Sequence, residues 1–267
     1  MESHMDKKTL LENLCRIADG LVAFWGRDYE IAIHDLSRLE SSLVHIAGEV
    51  TKRAPGAPAT DFLIDHLSRY AADAPDVRPY RAQGRHGEPL RGSLIYIKDD
   101  KGVPVFAMCI NQNISRQMAA IAALEARGFP PAEAASPESF AARFAVFPHC
   151  FFVAEDDGAI VGHINGCMTD FDTCRDELYH DAGLHREEAP HQAVFGLVVD
   201  PQRRHQGSGA ALVRHFLEAA RQRGKEDVVL TCKERLIPFY SSLGFQLLGR
   251  SDSQHGQACW YDMRCPL

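Results

Sequence analysis

Residues 194–224 read VFGLVVDPQRRHQGSGAALVRHFLEAARQRG, and this stretch decides the fold of the second half of the chain. The apolar, β-branched run from Val194 to Val199 predicts a buried strand, which Asp200-Pro201 ends. Gly224 then predicts the C-terminal cap of a helix that follows a glycine-rich turn at 206–210. The apolar residues of that helix recur at the spacing of one face: Leu212, Val213, Phe216, Leu217 and Ala220.

A strand, a glycine turn and a helix in this order suit an anion such as a phosphate. The turn leaves backbone N–H groups pointing at one position, and the helix dipole adds partial positive charge there. Arg203 and Arg204 bring formal charge to the same place. A tight turn that binds nothing is the alternative interpretation of the glycines alone.

Segments of the second half resemble the GCN5-related N-acetyltransferases. Arg204-His205-Gln206-Gly207-Ser208-Gly209 fits their R/Q-x-x-G-x-G/A pattern, and Pro238-Phe239-Tyr240 with Leu243-Gly244-Phe245 is similar to their PFY and GF segments. The resemblance covers roughly residues 115–267 and is greatest to the arylalkylamine N-acetyltransferase-like branch.

The resemblance implies a mixed sheet flanked by helices, with acetyl-CoA as cosubstrate. In such proteins the turn amides hold the coenzyme A pyrophosphate, and a bulge, expected here at Gly196, splays the strand so that pantetheine pairs with its backbone. Tyr240 matches the tyrosine that acts as catalytic acid; a plain core tyrosine is the alternative, and it would need another hydrogen-bond partner. The coenzyme site then comprises Leu197, Val198, Val199, Arg204, His205, Gln206, Gly207, Ser208, Gly209 and Ala210.

The group that accepts the amine proton is left open. An alkyl amine with a pKa near 10.4 is neutral only about once in 10³ at pH 7, so the site must take up a proton. The arylalkylamine enzymes use two strand histidines, but the matching positions here are Ala193 and Phe195. Glu234 and His255 are the candidates that could accept the proton instead. His191 and His163 are two further candidates.

Residues 1–113 predict an α+β unit with an antiparallel sheet. A helix over 10–22, strands at 29–36 and 43–48, and a helix capped at Thr60-Asp61 precede two or three strands, including 91–98 and 103–111. The segments Ala32-Ile33-His34-Asp35-Leu36, Gly92-Ser93 and Cys109-Ile110-Asn111 resemble the YheO-like PAS domain family. That resemblance implies a small ligand between sheet and helices, in a pocket lined by His34, Asp35, Ser93 and Asn111; in the alternative, His34 and Asp35 satisfy backbone groups at a strand end.

The predicted domain boundary lies between residues 113 and 114, so the domains are 1–113 and 114–267. A helix is predicted over 114–127, directly after the last strand of the first domain. The first acetyltransferase strand is therefore either missing or replaced by that strand. The usual helix-turn-helix DNA-binding segment of the YheO-like family does not follow the PAS-like unit here.

Composition bounds the rest. The 267 residues carry a net charge of −7, which argues against nucleic-acid binding, and no apolar stretch reaches the roughly 18 residues of a membrane span. The eight cysteines form no C-x-x-C pairs, which predicts free thiols and a cytoplasmic protein. No metal is expected, because His180, His185 and His191 fit no metal-site spacing. Ser3-His4-Met5 resembles the remnant of an expression vector.

The acidic stretch 169–192 would attract a cationic amine toward the acceptor site, unless it is only a solvated surface. Together these observations predict an acetyl-CoA-dependent N-acetyltransferase for a small aryl-alkylamine or polyamine, with a PAS-like regulatory domain and without nucleic-acid or membrane partners. Two alternatives are a non-catalytic acetyl-CoA sensor and an acetyltransferase for protein or antibiotic amines. A homodimer is a further option.

Overall fold

The computed structural model describes residues 6–84 and 87–267, so Ser3-His4-Met5 lies outside the described residues. The chain divides into two compact units, the first ending at Arg116 and the second running from Gln117 to Leu267. Each unit is built on its own sheet.

The first unit is a five-stranded antiparallel sheet with two helices. Its elements are α1 (Lys7–Trp25), β1 (Tyr29–Asp35), β2 (Leu43–Ala47), α2 (Asp61–Tyr70), β3 (Val77–Gln83), β4 (Pro89–Lys98) and β5 (Pro104–Asn113). The strand order is β2-β1-β5-β4-β3. Asp6 and Thr60 cap the two helices, because their side chains accept the N–H groups of Thr9 and Leu63. The predicted α+β unit is confirmed, with β3 as the third of the closing strands.

Strand alternation gives this sheet two apolar faces. Ile31 and Ile33 pack with residues of α1, whereas Ala32 lies on the other face with Leu63 of α2. Each face therefore has its own buried core.

The same alternation separates the four residues predicted to line one ligand pocket. His34 is fully buried with its Nδ1 2.8 Å from Ser42 Oγ, and Asn111 Nδ2 donates to Glu30 Oε1 at 3.1 Å on the same face. Asp35 instead accepts a hydrogen bond from Lys7 Nζ at 2.7 Å on the α1 face.

Ser93 also departs from that pocket. It neighbours Leu94, which belongs to the α2 face, so its own side chain points to the opposite face and donates to the Val77 carbonyl at 3.2 Å. The prediction of one shared pocket is therefore wrong for Asp35 and Ser93. Successive residues of a strand cannot line the same side of a sheet.

The second unit is a six-stranded mixed sheet flanked by helices. Its elements are α3 (Ser115–Gly128), α4 (Pro137–Val146), β6 (Phe151–Asp156), β7 (Ala159–Thr169), α5 (Glu177–His180), β8 (His191–Val199), α6 (Ser208–Gln222), β9 (Asp227–Cys232), α7 (Ile237–Ser241), β10 (Gln246–Arg250) and β11 (Tyr261–Pro266). The strand order is β10-β11-β9-β8-β7-β6, and only β8 and β9 run parallel. The predicted mixed sheet is confirmed.

The strand that the resemblance places before the first helix is missing from the second sheet rather than replaced by β5. Strand β5 stays between β1 and β4 in the sheet of the first unit. It ends at Asn113 and α3 begins at Ser115, so the described residues hold no further strand between them. The second sheet therefore begins at β6.

Helix α6 buries the apolar face that the sequence predicts. All five of its apolar-face residues are buried, and they contact Ile164, Val194 and Leu230 of the sheet. The helix ends at the cap residue Arg223, and Gly224 follows with a positive φ of 69°. The glycine therefore ends the helix one residue beyond the cap, as the left-handed conformation requires.

The structure bears on two features of the composition, the cysteines and the apolar stretches. All eight cysteines are free thiols, six of them buried, with Cys15 half-buried and Cys259 exposed. In the described ranges, no helix has both the length and the apolarity needed to span a bilayer.

Candidate functional site

Strands β8 and β9 separate halfway along β8. Their parallel pairing runs from His191–Asp227 to Val194–Leu230 and stops there. On the other side, β7 follows β8 to its end, but Gly166 pairs with Val194 while its neighbour Asn165 pairs with Gly196. The extra residue is Phe195, and beyond it the edge of β8 that faces β9 is open to pairing with an extended ligand.

The bulge lies one residue before the predicted position. Gly196 is not the glycine that the bulge requires, because a Cβ there would meet nothing closer than 3.6 Å. Gly166 is, because a Cβ on it would lie 1.7 Å from the carbonyl oxygen of Ala193. The tight approach of β7 at the bulge admits only glycine at position 166.

Strand β8 leads into the unpaired amides at the start of α6. His205 and Gly207 have positive φ values of 63° and 89°, which turn the chain into the helix. The first helical bond is donated by Ala211 N–H to the Gly207 carbonyl at 2.9 Å. The preceding amides of 208–210 thus have no helical acceptor and lie at the positive end of the helix dipole.

The other predicted coenzyme residues lie along the same path. Leu197 and Val199 are half-buried against the α6 core, whereas the side chain of Val198 is buried on the opposite face against Gly128. Only the backbone of Val198 can therefore face a ligand along the open edge. Arg204 is exposed, and its Nε donates to the Val199 carbonyl at 3.3 Å. Arg203 is paired with Asp156 at 2.8 Å.

Tyr240 of α7 is buried in the apolar core between α6 and the second sheet. Its ring lies edge-on to Phe239 and Phe245, with centroids 5.0 and 5.6 Å away. Burial raises the pKa of this phenol, so the hydroxyl keeps its proton. None of the described residues hydrogen-bonds that hydroxyl, and the plain core interpretation required such a partner.

The two predicted proton acceptors, Glu234 and His255, differ in exposure and in their contacts. Glu234 is exposed in the turn after β9, where its charge raises the pKa of Tyr261. His255 is half-buried in the connection from β10 to β11, and its Nε2–H donates to the Glu133 carbonyl at 3.1 Å. Its ring stacks on Tyr179 at 4.9 Å.

Apolar residues stand at the two positions where the arylalkylamine enzymes have strand histidines, and their surroundings are apolar too. Ala193 is buried and Phe195 is half-buried, and both pack in one cluster with Phe147. His191 is bound through Nδ1 to Asp227 Oδ1 at 2.8 Å, where β8 and β9 are still paired. His191 thus lies on the closed side of the bulge.

The structure brings together four buried polar residues on the other face of the sheet, of which the sequence suggested only His163. We call Glu125, Arg143, His163 and Asn165 the buried polar cluster; they are 3, 6, 0 and 0 % exposed. Arg143 donates to the Tyr179 carbonyl at 3.0 Å and to Asn165 Oδ1 at 3.4 Å. Burial lowers the pKa of Arg143, and the nearby charge of Glu125 opposes that shift.

The sequence contains a signal for this cluster. Glu125 lies seven residues after Met118, on the apolar face of α3, and Arg143 lies between Phe140 and Phe147 on the apolar face of α4. A charged residue within an apolar stripe indicates a buried polar contact.

The acidic segment 170–188 is connected to the end of the sheet. Asp176 accepts hydrogen bonds from the Ser253 hydroxyl at 2.5 Å and from Gln254 N–H at 2.9 Å. Arg264 of β11 donates to the Asp172 carbonyl at 2.7 Å. The exposed carboxylates of the acidic segment are Asp170, Asp172, Glu177, Asp181, Glu187 and Glu188.

One cluster in the described residues has the composition of a metal site. The potential ligand atoms of His149, His185 and Glu187 lie within 4.8 Å of one another. However, His185 Nδ1 accepts Met168 N–H at 3.2 Å, so its proton sits on Nε2, which lies 3.0 Å from Glu187. In this structure the cluster is held together by hydrogen bonding to the Glu187 carboxylate.

Each half of the chain matches a different protein family. Residues 5–127 match the YheO-like PAS domain family, and residues 118–245 match the acetyltransferase (GNAT) family. The transcriptional regulator DauR of Pseudomonas aeruginosa is 30% identical over 115 residues, which are 43% of this chain and 52% of that protein. Human N-acetyltransferase 8 is 32% identical over 105 residues, which are 38% of this chain and 40% of that protein.

The chain therefore spans about half or less of the length of these curated relatives. Among solved structures, the GphF GNAT-like decarboxylase in complex with isobutyryl-CoA matches with a TM-score of 0.50 at 24% identity. The match covers 57% of this chain and 95% of that one. At this identity the similarity concerns the fold alone.

Proposed function

We propose that this chain, in which a YheO-like PAS domain is fused to a GNAT acetyltransferase domain, transfers an acetyl group from acetyl-CoA to a small-molecule amine. The separation of β8 from β9 after Val194–Leu230 carries the proposal. It leaves an open strand edge that leads to the unpaired amides at the start of α6. An extended arm ending in phosphates, as in coenzyme A, fits both features.

This path supports a role for each group of predicted coenzyme residues. The amides at 207–210 would bind the pyrophosphate, with Arg204 adding positive charge. The backbone of 197–199 would pair with pantetheine and hold the thioester near the bulge. Holding the reactants in place supplies part of the rate enhancement before any proton moves.

The chemistry requires two proton movements. The ammonium loses one proton, its nitrogen attacks the thioester carbon, and the C–S bond breaks as the tetrahedral adduct collapses. Tyr240 would protonate the departing sulfur and regain a proton from the acylated nitrogen, so that one proton is released to solvent per turnover. The raised pKa of Tyr240 suits an acid that must stay protonated until this step.

The acceptor is proposed to be a cationic amine of the aryl-alkylamine or polyamine type. The exposed carboxylates of segment 170–188 would attract such an amine over about 8–10 Å at cellular salt. Tyr179 belongs to this segment and its ring stacks on His255, so this pair of rings could contact an aryl group. His255 and Glu234 remain proposals for groups that assist proton removal.

A second candidate function is acetyl-CoA sensing without turnover. The apolar residues Ala193 and Phe195 favour it, because they stand where the arylalkylamine enzymes would have histidines. Under either function, the PAS-like unit is proposed to respond to a small ligand, with His34 and Asn111 on the sheet face that would contact it.

The first test measures thiol release from acetyl-CoA with phenethylamine, spermidine and amino acids. Turnover with an amine supports the enzyme, and the preferred amine identifies the acceptor class. Binding of acetyl-CoA, seen as a thermal shift, with no acetylation of any amine would support the sensor instead.

A further inference from the structure

The buried polar cluster lies against the bulge of β8. A Cβ on Gly196 would lie 3.6 Å from Asn165 Nδ2 and 3.7 Å from Glu125 Oε1. The Arg143 guanidinium carbon lies 4.7 Å from the centre of the Phe195 ring. The Glu125 carboxylate of α3 therefore lies within van der Waals reach of the strand at residue 196, next to the extra residue Phe195.

The polar atoms of the cluster are poorly paired. Glu125 Oε2 and His163 Nε2 approach to 3.2 Å, but their alignment is not that of a hydrogen bond, and neither has another partner among the described residues. The same holds for His163 Nδ1, Asn165 Nδ2 and Arg143 Nε. Buried polar atoms nearly always have partners, so the cluster retains the capacity to bind a polar group.

A second carboxylate–histidine pair in the same unit provides the contrast. His191 Nδ1 and Asp227 Oδ1 form a well-aligned hydrogen bond of 2.8 Å. That pair lies where β8 and β9 are still joined, three residues before they separate. It is chemically similar to the Glu125–His163 pair, but its two facing atoms already form a hydrogen bond with each other.

We propose that Glu125 and His163 are the catalytic pair that accepts the proton of the substrate ammonium, in the place that the absent strand histidines leave open. This inference rests on the proposed acetyltransferase function. One N–H bond of the ammonium breaks, and its proton moves to the pair directly or through one water. The electron pair left on nitrogen then attacks the thioester carbon, and the pair releases the proton to solvent after the amide departs.

The neighbouring residues support this role. Arg143 and Asn165 are positioning residues: the guanidinium is anchored to the Tyr179 carbonyl and approaches Asn165 Oδ1. Ala135 N–H donates to Glu125 Oε1 at 3.2 Å and leaves Oε2 facing His163. The carboxylate is therefore held by one oxygen while the other remains available.

The test uses the full chain with Glu125→Gln, His163→Gln and the matched control Asp227→Asn. Each variant is assayed at pH 7 with phenethylamine, which is cationic there, and with O-benzylhydroxylamine, which is neutral. We expect Glu125→Gln to lower kcat/KM for phenethylamine by about 10²–10⁴-fold and for the neutral amine by less than about tenfold. Raising the pH should reduce the factor by which Glu125→Gln lowers kcat/KM for phenethylamine. The control Asp227→Asn should keep kcat/KM for both amines within about threefold of the wild type.

Two results would overturn the proposal. One is a wild-type rate for phenethylamine in both Glu125→Gln and His163→Gln; the other is an equal loss with both amines, which would indicate a structural role. If Glu125→Gln fails to fold, His163→Gln carries the same comparison.

A measurement without turnover separates this inference from the proposed function. In ¹⁵N-histidine-labelled protein, acetyl-CoA should shift the ring resonances of His163, assigned with His163→Gln, but not those of His191. If no amine is acetylated and His163 still shifts, the enzyme proposal fails while the placement of the pair beside the acyl group is supported. If His163 does not shift although acetyl-CoA binds, the inference is overturned.

Discussion

Gly166 and Ala193 meet across the bulge of the second sheet, where a Cβ on Gly166 would lie 1.7 Å from the Ala193 carbonyl oxygen. The contact lets β7 follow β8 through the extra residue Phe195 while β9 diverges. Because the oxygen belongs to the backbone and a Cβ has a position fixed by the backbone, no rotamer change can relieve an added methyl group. The open strand edge therefore depends on a glycine outside the strand that presents it.

We expect Gly166→Ala to lower the free energy of unfolding of the second unit by about 1–3 kcal/mol through overpacking, and to weaken acetyl-CoA binding. Urea denaturation in a Trp25→Phe background follows this unit, since Trp260 is then the one remaining tryptophan. Gly20→Ala is the control, because nothing lies within 4 Å of a Cβ at this position in α1. Because it lies in the first unit, it should leave the unfolding free energy reported by Trp260 within about 0.5 kcal/mol of the reference.

Tyr240→Phe should reduce amine acetylation by about tenfold or more while leaving stability nearly unchanged. The hydroxyl has no partner among the described residues, so its removal leaves no other group unpaired. Thiol release and thermal unfolding measure the two effects. The control is Tyr96→Phe, whose hydroxyl lies 2.9 Å from His66 Nδ1, and which should lose about 1 kcal/mol of stability but no activity. Unchanged turnover in Tyr240→Phe would contradict its role as the acid.

Arg204→Ala should raise the Kd for acetyl-CoA by about tenfold, because an exposed guanidinium contributes a charge-assisted contact to a phosphate. The effect should shrink at high salt, since exposed charges are screened. Isothermal titration of the full chain provides the constants. Arg221→Ala removes a similar charge from the far end of α6, where it pairs with Glu218, and should leave the Kd within about twofold.

His34 should make the first unit sensitive to acid. Burial lowers the pKa of His34 from 6.5 to about 4, so between these values the unfolded chain binds more protons than the folded one. Its contribution to stability is therefore complete above pH 6.5 and is lost as the pH falls toward 4, by roughly 3 kcal/mol at most.

Urea denaturation at a series of pH values measures this effect. His34→Gln should lose much of the pH dependence of the first unit, while His45→Gln, whose ring pairs with Asp19 at the surface, should retain it. The same slope in wild type and His34→Gln would assign the acid sensitivity to other groups.

Much of the architecture follows from local pattern. The period-2 and period-3.6 runs predict α1, α2, α3 and α6 and the strands β1, β2, β4, β5 and β8, because apolar residues at those spacings must face a core. The turn at 206–210 was predicted as an anion site from its glycines and the helix after it, and the structure brings the same residues together at the start of α6. These features depend on residues close in the chain.

The sequence by itself therefore determined most of the long helices and strands, the antiparallel sheet of the first unit and the turn that precedes α6, whereas the mixed sheet was implied by a family resemblance. Only the tertiary structure decided which residues stand behind the bulge. Glu125, Arg143 and His163 come from α3, α4 and β7, and their approach depends on how helices pack on a sheet. It also separated Asp35 from His34, because adjacent strand residues face opposite cores. Spacing predicts the face on which a residue lies, but its partner across the core is decided by packing.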